Sequence, residues 1–309
     1  MTLTDVPGVA VGHWTDQVAL TGVTVMVVPE PNTALIDVRG AAPGTREAAL
    51  LAGPGMRIST IQALVFTGGS AFGLASADGV VRELEAQGRG HPTPAGVVPI
   101  VPAAVVYDLW IGDPGVRPGP AEGAAAFRAA GTGPVEMGSV GAGTGTTVAG
   151  WRGPDARRKG GVGSASRRIG DGTVGALVVV NAVGDVFTLE GRSLTGGPAV
   201  PDPDRVPPPP GTATTLVAVM TDIALARPDL YRLAVRAHDA LAVCLRPAHT
   251  RYDGDAAFAV SCGAVPGNAD AASEAAFGVV GRAIAAAVAA ARAAGGIPAA
   301  GDRDIPEVK

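Results

Sequence analysis

The residues best suited to chemistry lie in one run, Thr212-Ala213-Thr214-Thr215-Leu216-Val217-Ala218-Val219-Met220-Thr221-Asp222. A threonine hydroxyl is a poor nucleophile until a base takes its proton. One solution makes the threonine N-terminal, so that its own α-amine is the base. That amine has an ordinary pKa of about 7.7–8.0, close to working pH. Exposing it requires cutting the peptide bond before the threonine. Just upstream, Pro198 to Gly211 contains seven prolines and no apolar periodicity, a tether that supplies the slack. On composition alone Thr212, Thr214 and Thr215 are all candidates.

Other groups could support such a nucleophile. Asp253-Gly254-Asp255 pairs two carboxylates that could orient a hydroxyl and stabilise an ammonium, although the tripeptide is also an ordinary turn. Asn181 stands in an otherwise apolar run, Ala176 to Val183. A buried amide left unpaired costs about 1–3 kcal/mol, so Asn181 must find partners or border a cavity. Gly68 to Gly73 fits neither a Walker A loop nor a Gly-x-Gly-x-x-Gly fingerprint. It reads as close packing at a strand-to-helix turn, or as a pocket wall made by Gly69 and Ser70. Arg157-Arg158-Lys159, with Arg167-Arg168 nearby, lacks interleaved aromatics and reads as a solvated loop or a local anion contact. Cys244, Cys262 and the four histidines show no metal-ligand spacing, so no metal or other cofactor is expected.

The elements that must position these groups alternate between strands and helices. Thr21–Val28 and Ala34–Val38 read as a strand pair, and Ala63–Phe66 as a buried strand leading to a helix over Ala71–Ala86. Val98–Val106 is an apolar run, while Gly138–Gly145 and Lys159–Ser166 read as glycine-dense loops. Strands follow at Gly175–Val186, Leu216–Met220 and Ala256–Val260, with helices over Pro228–Leu245 and Ala271–Ala294. The pattern predicts an α+β protein of layered sheets flanked by helices.

Composition narrows the function. Hydrophobic residues are 47% and aromatics 4%, so the core is aliphatic, and a net charge of −4 argues against nucleic acid. The N-terminus shows no signal-peptide pattern, and Arg282 and Arg292 interrupt the Ala-rich stretch near the C-terminus, arguing against a membrane span. A cytoplasmic enzyme is expected.

The chain resembles the L-aminopeptidase/D-esterase and β-peptidyl aminopeptidase family, which includes the nylon-oligomer endo-hydrolases. The resemblance is carried by Val6–His13, Asp37–Gly40, Pro43–Glu47, Thr67–Leu74, Val101–Leu109, Gly141–Gly145, Lys159–Ser166, Val179–Ala182, Thr214–Asp222 and His249–Asp255. It implies an αββα sandwich of the N-terminal-nucleophile-hydrolase kind with the family's own topology. Residues 1–309 would form a single domain that cuts itself between Ala213 and Thr214, with 198–213 as the linker before the cut. It implies Thr214 as nucleophile, Asp253 and Asp255 as the groups that hold it, Asn181 as an oxyanion donor and Tyr107 as a pocket hydroxyl.

By the same resemblance the substrates are short peptides, amino-acid amides or esters, and the assembly is a homotetramer of αβ units. Amide-oligomer endo-hydrolysis, acyl transfer of the ornithine-acetyltransferase kind, and an uncleaved homologue without catalysis are the alternatives. Some relatives carry a lysine shortly after the Gly-Ala-Gly-Thr-Gly loop. This chain has Thr147-Val148-Ala149-Gly150-Trp151 there, and Lys159 lies too far along to be the same residue.

Overall fold

Aliphatic runs at period two build two five-stranded sheets, seen in a computed structural model that describes residues 1–53, 56–205 and 212–302. In chain order the strands are β1 (Ala10–Asp16), β2 (Thr21–Val27), β3 (Thr33–Val38), β4 (Thr45–Arg46), β5 (Ala63–Thr67), β6 (His91–Thr93), β7 (Gly96–Val98) and β8 (Ala103–Val105). They continue with β9 (Thr147–Val148), β10 (Arg158–Lys159), β11 (Gly161–Ile169), β12 (Gly172–Asn181), β13 (Asp185–Val186), β14 (Thr214–Ile223), β15 (Leu245–Arg246) and β16 (Ala256–Val265). The α-helices are α1 (Ala48–Ala52), α2 (Ser76–Ala86), α3 (Pro120–Arg128), α4 (Arg227–Cys244) and α5 (Ala269–Ala289).

The first sheet has the order β1-β2-β5-β8-β4 and the second β11-β12-β14-β16-β3. Alternation along β12 and β14 sorts side chains to two faces. Leu177, Val179, Leu216, Ala218 and Met220 meet Met26, Leu64, Phe66 and Ala104 of the first sheet in an inter-sheet core. Val178, Val180, Val217 and Val219 pack instead against α4 and α5. On the far side, Val23, Val25, Ala63 and Val65 pack against Ala77, Val80 and Leu84 of α2 and Ala126 and Phe127 of α3. Helix, sheet, sheet, helix: the αββα sandwich is present.

Two strand expectations are corrected. Ala34–Val38 does not pair with β2, whose edges are taken by β1 and β5; it borders the second sheet, antiparallel to β16. Its faces decide this, since Ala34 and Ile36 enter the inter-sheet core and Leu35 the helix-side core. Lys159–Ser166 is not a loop but mostly strand β11. Its glycines are there for α5: a Cβ at Gly161 or Gly163 would lie 2.6 Å from the Ala287 carbonyl oxygen or 1.9 Å from that of Ala283.

Smaller differences follow local chemistry. Val98–Val106, interrupted by Pro99 and Pro102, divides into the end of β7 and the short β8. The helix read from Ala71 begins as a 3-10 turn over Ser70–Ala75 before α2. The run Gly175–Val186 ends its long strand at Asn181, and β13 pairs elsewhere, with β15. Both cysteines are buried. Helix α5 has the length and hydropathy (1.4) of a membrane span, yet 61% of that window is buried within the fold. Of the linker 198–213, residues 206–211 lie outside the described residues.

One topological fact bears on function. Strands β14 and β16, which follow residue 213, lie between β12 and β3, which precede it. Any cut before Thr214 would leave two fragments woven into one sheet.

Candidate active site

Strand β14 opens on Thr214, and its register with β12 puts Thr214 directly opposite Asn181. By alternation both side chains share the inter-sheet side with Leu216 and Val179, at the end of the gap between the sheets. Thr214 is 5% exposed, and Asn181, Asp253 and Asp255 are 1% exposed each, so water screens this cluster poorly.

The Asp253-Gly254-Asp255 turn runs alongside the residues flanking Thr214. Ala213 bridges Asp253 in parallel register, the Gly254 N–H donates to the Ala213 carbonyl at 2.9 Å, and Thr215 N–H donates to Asp255 Oδ1 at 2.6 Å. Thr214 Oγ1 itself donates to the Ala213 carbonyl oxygen at 2.5 Å. The approach requires glycine, since a Cβ on Gly254 would sit 2.8 Å from Thr214 Oγ1 and 2.6 Å from the Ala42 carbonyl oxygen. The carbonyl between Ala213 and Thr214 thus has a backbone donor on it and a hydroxyl against it.

The two carboxylates differ in surroundings. Asp255 Oδ2 accepts from the backbone N–H of His249 at 3.2 Å and from its ring Nδ1 at 2.8 Å, while Oδ1 holds Thr215. Asp253 Oδ2 accepts from Thr250 Oγ1 at 2.6 Å and Thr250 N–H at 2.9 Å. Burial, and next the neighbouring Asp255 charge, push the Asp253 pKa up to about 7. His249 was in the matching motif without a role; here it is a ligand of Asp255, held in left-handed backbone geometry at φ 53°. Its ring meets that of His238 edge-on at 4.8 Å. Only the fold could reveal the partnership, because His249 and Asp255 flank a turn whose shape the sequence leaves open.

A pH dependence follows. Between about pH 4 and pH 7 the folded chain keeps a proton on Asp253 that an unfolded chain has released. The folded state therefore binds more protons, and its stability falls as pH rises through that window. Asp253→Asn should flatten the fall. Comparing thermal unfolding of Thr214→Ala and Thr214→Ala/Asp253→Asn from pH 4 to pH 8 checks this; parallel curves would refute it. The difference is expected to reach a few kcal/mol by pH 8.

Asn181 uses both ends of its amide: Oδ1 accepts from Thr147 N–H at 2.9 Å and Nδ2 donates to the Tyr107 carbonyl at 3.1 Å. The second bond spans the sheets, because Tyr107 follows β8. The Tyr107 ring packs edge-on against Trp110 at 5.5 Å. Gly69 and Ser70 stand one step further out. Gly69 N–H donates to Asp108 Oδ1 at 2.7 Å and Ser70 N–H to the Val106 carbonyl at 3.0 Å, so they brace the Tyr107-Asp108 corner. They are not among the residues lining the crevice at Ala213, which include Trp110, Arg157, Asn181, Val183 and Thr212.

Lys159 pairs with Thr147 across β10 and β9, which brings it back beside the glycine loop despite the intervening residues. Its fully buried Nζ donates to the Thr144 carbonyl at 2.7 Å. Burial lowers its pKa to about 8, with the Asp108 charge opposing.

Among the described residues no group of three or more His, Cys, Asp or Glu could hold a metal ion. A cavity lined by Leu35, Ile36, Leu51, Arg227 and Tyr231 contains no member of the Thr214 cluster.

The αββα sandwich is that of N-terminal-nucleophile-hydrolase-fold aminopeptidases. The L-aminopeptidase/D-Ala-esterase/amidase of Ochrobactrum anthropi, a variant of that fold, superposes with a TM-score of 0.74 at 23% identity, covering 94% of this chain and 86% of that one. A Burkholderia sp. beta-aminopeptidase superposes with a TM-score of 0.76 at 25% identity, covering 97% and 90%. Residues 2–300 match peptidase family S58, and the chain belongs to that family.

Among relatives, an uncharacterized aminopeptidase of Mycobacterium leprae (strain TN) is 40% identical over 304 residues, 87% of this chain and 81% of the relative. The 6-aminohexanoate-oligomer endohydrolase of Paenarthrobacter ureafaciens is 31% identical over 272 residues, 83% and 74% respectively.

Proposed function

We propose that this peptidase-family protein is a self-processing aminopeptidase or amidase acting on short peptides, amino-acid amides or esters, with Thr214 as its N-terminal nucleophile. The observation that carries the reading is the Ala213–Thr214 peptide itself, its carbonyl held by Gly254 N–H and met by Thr214 Oγ1. Thr214 Oγ attacks the Ala213 carbonyl carbon and gives up its proton. Negative charge develops on the carbonyl oxygen, where the Gly254 N–H already donates. The C–N bond then breaks, the Thr214 nitrogen takes a proton and leaves as an amine, and an ester to Oγ remains. Water hydrolyses that ester, giving residues 1–213 and 214–309.

The freed Thr214 amine then serves as base for its own hydroxyl toward substrate amides, through an acyl-enzyme. Asp255, fixed by Thr215 and His249, keeps negative charge near the new ammonium, and Asn181, opposite Thr214 on β12, has one amide N–H left beyond its bond to the Tyr107 carbonyl. Aminopeptidase action is favoured over oligomer endo-hydrolysis because the relatives at 40% identity bear the aminopeptidase name. We further propose a cytoplasmic homotetramer of αβ units.

Intact mass and N-terminal sequencing of purified protein test the reading, together with hydrolysis of aminoacyl p-nitroanilides. The expected result is a fragment beginning at Thr214 and released nitroaniline. A different new terminus would refute the nucleophile assignment.

A further inference from the structure

Beside the Ala213–Thr214 bond the crevice gathers two donors that the described residues leave without an acceptor. The Trp110 indole Nε1 is buried and unpartnered. The Arg157 guanidinium lies over the same indole, 4.0 Å from the ring centroid, half-buried and in no ion pair among the described residues. A neighbouring arginine shows the contrast: Arg152 spends its guanidinium on Asp185 and the Thr195 carbonyl. Tyr107, edge-on to Trp110, helps fix the indole, and both donors share the crevice with Asn181 and Ala213, which flank the bond to be cut.

A buried indole N–H needs an acceptor, and a guanidinium withdrawn from water gains most from an anion. Burial also lowers the Arg157 pKa, the cost a bound anion would offset. The planar fork of arginine matches a carboxylate through two parallel hydrogen bonds. When one residue is removed from the N-terminus of a dipeptide or tripeptide, its terminal carboxylate lies one or two residues beyond the cut. At about 3.3–3.6 Å per extended residue, that is about 3–7 Å past the cut bond.

Resting on the function proposed above, we propose that Trp110 and Arg157 form a carboxylate subsite that selects short peptides with a free C-terminus over their amides. The same chemistry has a second source, the carboxylate that self-cleavage would create on Ala213 in this crevice. The substrate is the source assigned here.

The test compares kcat/KM for L-alanyl-L-alanine and its C-terminal amide on the processed wild type, Arg157→Gln and Trp110→Phe. The wild type is expected to favour the free acid about tenfold. Arg157→Gln should lower the acid-to-amide ratio about 10- to 100-fold, chiefly through KM, as loss of uniform binding does. Trp110→Phe keeps the ring and should lower the ratio about threefold to tenfold; it carries the same test should Arg157→Gln yield no processed enzyme. An unchanged ratio overturns the subsite. So does an Arg157→Gln effect confined to the melting temperature of the cleaved protein and absent in uncleaved Thr214→Ala, which would assign the arginine to Ala213. Failure of the wild type to hydrolyse either probe sinks the proposed function and this subsite together. Hydrolysis of both with an unchanged ratio sinks the subsite alone.

Discussion

Thr214→Ala is expected to stay one uncut chain, folded, with no terminus at residue 214 and no detectable hydrolysis of aminoacyl p-nitroanilides. Removing a nucleophile that acts as a unit with its base typically costs about 10⁶-fold in kcat, which puts the variant at background. The fold should survive, because the alanine loses only a hydroxyl whose bond, to the Ala213 carbonyl, is local. Thr214→Ser keeps the oxygen and should still process. The neighbouring threonines separate the assignment from its rivals. Thr215 follows Thr214 along β14, so its side chain is on the opposite face, and its Oγ1 is buried without a partner among the described residues. Thr215→Val preserves shape and should process normally. Thr212 lines the crevice but precedes the strand, and Thr212→Val should also leave a terminus at Thr214. Self-cleavage by Thr214→Ala, seen as two fragments on a denaturing gel, would rule out Thr214 as the nucleophile.

The layered α+β class was legible because alternation and helical spacing depend on neighbouring residues alone. The partners of Thr214 were legible only as motifs. Asn181 looked like a polar exception in a strand; its place opposite Thr214 depends on the antiparallel register of β12 and β14. Asp253 and Asp255 looked like a turn; Gly254 lets that turn approach Thr214, with Asp255 on the Thr215 N–H and Asp253 on Thr250 and the Val183 N–H. Where sequence reasoning failed, distance along the chain stood in for distance in space. Lys159 looked displaced from the glycine loop until β9 and β10 folded the intervening residues away. The β3 strand looked like a partner for the strand before it, but which sheet accepts it is decided by what covers its two faces. Glycines at 161 and 163 suggested a loop because the helix needing their bare backbone lies over a hundred residues later.

The two acidic residues of the turn should respond very differently to the same substitution. Asp253 is held neutral up to about pH 7 by burial and by its neighbour, so an asparagine imitates the form it already adopts. With the amide oxygen in the Oδ2 position both Thr250 donors keep their acceptor and only the long Val183 N–H bond to Oδ1, 3.4 Å, is lost, so Asp253→Asn should process at pH 6 within a few-fold of the wild type. Asp255 has no such latitude. Its two oxygens receive three N–H groups: Thr215 N–H on Oδ1, and His249 N–H and Nδ1 on Oδ2. An asparagine supplies one acceptor and sets its own NH₂ against the remaining donors, whichever way the amide turns. Hydrogen bonds to a buried charge contribute about 1.5–3 kcal/mol each, so Asp255→Asn should lower stability by at least that much. The larger consequence is positional. Asp255 holds the residue directly after the proposed nucleophile, and a misplacement of about 1 Å costs about 10²-fold in rate. Processing should therefore slow by about 10²-fold. Half-times of cleavage on a denaturing gel, with melting temperatures of both variants in the Thr214→Ala background, separate positioning from simple instability. Equal half-times for Asp253→Asn and Asp255→Asn would contradict the asymmetry, and with it the role given to the Asp255–Thr215 bond.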